Sequence, residues 1–73
     1  MRKIPVLSPH KVVKAFTRLG WHVVRQRRSH IILIKEGRNV TLSVPNHPEV
    51  ARGTLRILIV RAGITVEEFL DQL

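Results

Sequence analysis

The 73-residue sequence predicts a single small α+β domain, spanning residues 1–73, with element order helix-strand-strand-strand-helix-helix. Three observations carry that reading. Val12, Phe16 and Leu19 recur at helical spacing between Ser8-Pro9 and Gly20. A β-branched run, Ile31-Ile32-Leu33-Ile34, is followed by the alternating stretch Val40 to Val44. Leu55, Leu58, Ile59 and Ala62 then return to three- and four-residue spacing before Gly63.

Met1 to Leu7 is short and basic and reads as a frayed start. Ser8 is an N-cap and Pro9 suits the first helical position, because its missing N–H has no partner to lose there. Gly20 stops that helix. Lys11, Lys14 and Arg18 form a stripe on another side of it, with no acid interleaved. Such a stripe is either a solvated face or a phosphate-facing one. Trp21 to Gln26 reads as the first strand, and the only Trp of the chain reads as core. Arg27-Arg28-Ser29 connects to a second strand, His30 to Lys35. Glu36-Gly37-Arg38-Asn39 is a polar hairpin turn. In the third strand, Val40, Leu42 and Val44 share one face, and Thr41 and Ser43 the other, which implies a packed and an open side. Pro45 to Pro48 ends the sheet. Thr54 is the expected N-cap of a helix from Leu55 to Ala62, and Thr65-Val66-Glu67-Glu68 is a capping box for a last helix through Leu73.

Hydrophobic residues make up 44% of the chain, enough for a small packed core. There is no cysteine, so neither disulfides nor thiolate zinc ligands can hold it together. No apolar stretch has the length of a membrane span, and no signal-peptide core is present, so a cytoplasmic protein with no membrane partner is expected. Lys and Arg number 13 against 5 acids, a formal charge of +8. The imbalance is concentrated. Arg2, Lys3, Lys11, Lys14, Arg18, Arg25, Arg27, Arg28 and Lys35 precede the first acid, whereas Glu67, Glu68 and Asp71 crowd the C-terminus. A field this positive on so small a domain points to a polyanion, most simply nucleic acid.

The run Arg25-Gln26-Arg27-Arg28-Ser29-His30 concentrates the chemistry. Side chains alternate along a strand, so His30 shares a face with Ile32 and Ile34, while Ser29, Ile31 and Leu33 point the other way. His10, His22, His30 and His47 show no metal-ligand spacing, and no carboxylate lies near His30, so no metal or other cofactor is expected. The acids are too few and badly placed for a two-metal nuclease. RNA, however, carries its own nucleophile. A histidine that takes the 2′-hydroxyl proton, beside cations that balance phosphate charge, needs no metal. A lone histidine at a strand start is more often structural, so residue type leaves catalysis open.

The sequence resembles the HicA family of toxins over nearly the whole chain. The resemblance rests on Leu19-Gly20-Trp21, Arg25 to His30, Val44-Pro45-Asn46-His47, Gly53-Thr54-Leu55-Arg56-Ile57-Leu58 and Ala62 to Phe69. It implies a small mRNA interferase of a toxin–antitoxin pair, whose catalytic histidine, in a Gly-Ser-His motif, is His30 here. It also implies a fold like the double-stranded RNA-binding domain, a three-stranded antiparallel sheet with helices on one face. The implied partners are mRNA and a HicB-type antitoxin that covers the active site. Arg28 departs from the family pattern, standing where glycine is common. If that glycine has positive φ, arginine there costs about 1 kcal/mol.

The expectation is therefore a metal-independent RNA endonuclease, a monomer when free. His30 is its acid or base, Arg27 and Arg28 contact phosphate, and Ser29 positions the backbone or the phosphate. Lys11, Lys14 and Lys35 are further RNA contacts. A non-catalytic RNA-binding module of the same fold is the alternative, and a purely protein-binding adaptor a third reading.

Overall fold

The computed structural model describes residues 2–73; Met1, part of the segment expected to fray, lies outside the described residues. The elements are α1 (Pro9–Arg18), β1 (His22–Gln26), β2 (His30–Ile34), β3 (Leu42–Pro45), α2 (Arg52–Ala62) and α3 (Val66–Leu70). Their order is the expected one. The strands form one antiparallel sheet in the order β1-β2-β3, with β2 central.

Period-two alternation decides which side of the sheet is covered. Ile31 and Leu33 of β2 and Leu42 and Val44 of β3 are buried, and they pack with Phe16 of α1, Leu55 and Ile59 of α2 and Phe69 of α3. All three helices therefore lie on one face, because only that face carries an unbroken apolar surface to bury. Burying one side chain such as Leu33 stabilises the fold by about 1.5–3 kcal/mol. Trp21 is buried as core, edge-on to Phe16 with ring centroids 6.4 Å apart, and Phe16 also meets Phe69 at 5.0 Å. His30, Ser43 and Ile34 are exposed on the opposite face, and Ile32 is half-buried there.

The local signals hold in α1 and α3. The Ser8 hydroxyl accepts from the Lys11 N–H at 3.4 Å, Pro9 opens α1, and Gly20 follows its end with φ 98°. The Thr65–Glu68 capping box is present in both directions.

Other boundaries differ from expectation. α3 ends at Leu70 and not Leu73. β3 begins at Leu42, because the connection from β2 runs on through Thr41 after its turn at Glu36-Gly37. Arg38 and Arg61 pin that connection to the end of α2: Arg38 Nη2 donates to the Arg61 carbonyl at 3.1 Å, and Arg61 Nη2 to the Thr41 carbonyl at 3.3 Å. α2 begins at Arg52, not Leu55, and its N-cap Ala51 makes no side-chain capping bond. Tertiary anchoring overrides Thr54 here. Val50 is buried and donates its N–H to the Leu7 carbonyl at 2.7 Å, which sets where the helix must start. The same contact corrects the frayed N-terminus. Ile4 is buried, its carbonyl accepts from Arg52 Nε at 3.0 Å, and Arg2 pairs with Glu67 and Asp71 at 2.9 and 2.7 Å. The hydrogen bond to Asp71, before the wider field of Glu67, raises the Arg2 pKa above its ordinary value.

Candidate active site on the open sheet face

His30 opens β2 on the uncovered face, opposite Pro45 of β3. Its carbonyl accepts from the Arg27 N–H at 2.8 Å, which closes a tight turn over Arg28 and Ser29. The Ser29 carbonyl in turn accepts from the Asn46 N–H at 2.9 Å, tying this turn to the end of β3. The histidine is thus held by backbone bonds on both sides.

β1 contains a β-bulge that strand alternation alone does not anticipate. Val23 pairs with Leu33, but Arg25, not Val24, pairs with Ile32, and Gln26 pairs with Ile31. One extra residue in a strand reverses the faces of everything beyond it. Val24 is left over and 54% exposed. Arg25 is thereby turned onto the face of Ile32, and Arg27, by its bond to His30, onto the same face. A regular ladder would have sent both guanidinium groups toward the core side. With the bulge, Arg25, Arg27, His30, Ile32 and Ser43 line one groove of about 330 Å³.

Ser29 requires a correction. Strict alternation places it opposite His30, yet its hydroxyl lies 3.1 Å from His30 Nδ1. The reason is that Ser29 belongs to the turn and not to the pleated strand, so alternation does not apply to it. When Nδ1 carries the proton and donates to Ser29 Oγ, the Nε2 lone pair is left free for a substrate proton. Arg28 follows in the same turn. It sits at the tip of the turn, exposed, and does not line the groove. No non-glycine residue has positive φ among those described, so Arg28 carries no left-handed strain.

The lysines expected to bind RNA are not brought to His30. Lys11 and Lys14 line a separate groove with Arg18, Leu7, Gln72 and Leu73, where Arg18 Nη1 already donates to the Gln72 carbonyl at 2.6 Å. Lys35 follows the far end of β2, about 17 Å along the strand from His30, and its side chain runs beside Gly20. His10 and His47 line a third groove with Gln26 and Asn46. Among the described residues, no three His, Asp or Glu side chains gather as a metal-binding group would require. No helix there is long and apolar enough to cross a membrane.

Ser43 was not among the expected site residues, and Arg25, though part of the basic run, was given no role of its own. Ser43 carried a signal, since it falls on the open side of the third strand. Nothing in Val23-Val24 marks the bulge that recruits Arg25.

No curated protein and no solved structure matches the chain significantly. The family model described as the HicA toxin of bacterial toxin–antitoxin systems matches residues 9–64. That span takes in α1, the whole sheet with the His30 turn and its groove, and α2, leaving only the ends of the chain outside. The chain belongs to the HicA toxin family.

Proposed function

We propose that this chain is a metal-independent endoribonuclease that cuts mRNA and is neutralised by a HicB-type antitoxin. The observation that carries the reading is the position of His30 beside Arg27 and Arg25, with Ser29 at Nδ1, on a face that no other element covers. His30 accepts the proton of a ribose 2′-hydroxyl at Nε2. The 2′-oxygen then bonds to the adjacent phosphorus and the bond to the 5′-oxygen breaks, leaving a 2′,3′-cyclic phosphate and a 5′-hydroxyl. The leaving oxygen takes its proton from the imidazolium or from water. Arg27 balances charge on the attacked phosphate, where a preorganised cation stabilises the transition state most. Arg28, at the tip of the turn, meets phosphate outside the groove. An antitoxin that places acidic or hydrogen-bonding groups over this face would stop access of RNA.

The test is an oligoribonucleotide in which only the ribose 5′ to the cut is replaced by deoxyribose. Cleavage at that bond is expected to stop while binding persists, and a chelator is expected to leave the rate unchanged. Cutting of the substituted strand at the same bond, or inhibition by the chelator, refutes the mechanism. RNA binding with no cleavage by the purified wild type would favour the binding-module alternative.

A further inference from the structure

We infer that Arg25, Ile32 and Ser43 form a one-nucleotide subsite beside His30, which receives a base of single-stranded RNA and selects which base stands next to the bond cut. The cut bond rests on the ribonuclease reading, whereas the subsite rests on the register of the sheet.

The open face carries two parallel rows running across the sheet. The first is Arg27, His30 and Pro45; the second is Arg25, Ile32 and Ser43. Each row begins with a guanidinium, Arg25 on β1 and Arg27 just past its end, and the two are spaced by two residues, about 6.7 Å along an extended chain. That is the scale of one step along an extended polynucleotide. A strand laid along β1 would set one phosphate at Arg27 and its neighbour at Arg25. The first row then acts on the bond, and the second meets the adjoining nucleotide.

The second row has the parts a base needs. Ile32 is a half-buried apolar floor between two polar ends. The Phe16, Trp21 and Phe69 rings are all buried, so no Phe or Trp platform is offered there, and in the second row the base lies on Ile32 and the Arg25 guanidinium plane. Ser43 is exposed at the other end, and a hydroxyl both donates and accepts, so it can pair with a base edge. The groove of about 330 Å³ is at the small end for a ligand site. It suits a single nucleotide and not a duplex.

The experiment maps the bases flanking the cuts made in a randomised RNA by the wild type, Ser43→Ala and Ser43→Thr. Ser43→Ala is expected to lose roughly three- to tenfold of the discrimination at one position adjoining the cut, the scale of one hydrogen bond. Ser43→Thr keeps the hydroxyl on a strand-favouring residue and is expected to retain the preference. In parallel, affinities of the His30→Ala protein for short oligoribonucleotides differing at that one base are measured with and without Ser43→Ala. Discrimination that disappears with Ser43→Ala in this background supports the subsite even if no RNA is ever cleaved. Unchanged preference in both assays, with the protein folded, overturns it while leaving His30 chemistry standing.

Discussion

The two faces of β2 set the terms for the whole molecule. On one side, Ile31 and Leu33 are 8% and 0% exposed and belong to one buried cluster with core residues of all three helices. On the other, His30 and Ile34 are open, and no helix crosses them. Residues adjacent in sequence thus serve opposite ends. The packed side holds the strand rigid, and that rigidity is what aims His30 and Ile32 into the groove. A histidine on a loop would lack this support. A histidine on the packed side would have no substrate.

The sharpest way to break the comparison is to truncate one residue on each side. His30→Ala is expected to lower RNA cleavage roughly a hundred- to ten-thousand-fold, with the thermal midpoint unchanged, and to relieve growth arrest on induced expression. Leu33→Ala, three residues away, is expected to cost about 2–5 kcal/mol of stability, measured by denaturant unfolding. If His30→Ala unfolds as readily as Leu33→Ala, the open face is structural and not functional.

A second test compares two basic surfaces of the same sign. In the groove, Arg25 and Arg27 flank an imidazole; on α1, Lys11 and Lys14 line a groove shared with the hydrogen-bonded Arg18 and Gln72. Replacing Arg25 and Arg27 together by glutamine is expected to flatten the slope of log affinity against log salt for single-stranded RNA by about 1.4, near 0.7 per phosphate contact. The same change at Lys11 and Lys14 is expected to leave the slope nearly as it was. The reverse result would move RNA binding to α1.

Smaller still, Ser29→Ala is expected to slow cleavage roughly tenfold, the scale of one well-placed hydrogen bond, by freeing the imidazole to rotate. Smallest of all is Arg2→Ala. Its pairs with Glu67 and Asp71 are exposed, and such pairs contribute little and are screened by salt. A thermal melt in low and high salt should barely distinguish it from the wild type.

Much of this is legible in the amino-acid sequence. Ser8-Pro9, Gly20 and the Thr65–Glu68 box are local chemistry, and each marks its helix end where expected, because a cap needs only its own neighbours. Thr54 shows the limit. Its hydroxyl is a good cap in isolation, yet Val50 docking against Leu7 starts α2 earlier. The same reasoning covers the N-terminal segment, whose anchoring depends on Arg52 and Asp71, 48 and 69 residues away from Ile4 and Arg2.

By itself the sequence determined the element order, the buried side of β3 and the place of His30 at the head of an aliphatic strand. Each follows from short-range periodicity, which the polymer carries wherever it is folded. Only the tertiary structure decided which cations reach that histidine. The bulge at Val24 turns Arg25 and Arg27 outward, the turn brings the Ser29 hydroxyl to Nδ1, and the packing of α1 leaves Lys11 and Lys14 in another groove. The physical reason is that one unpaired residue in an edge strand changes the face of every side chain after it, and its location is set by what the partner strand offers, not by the residue itself.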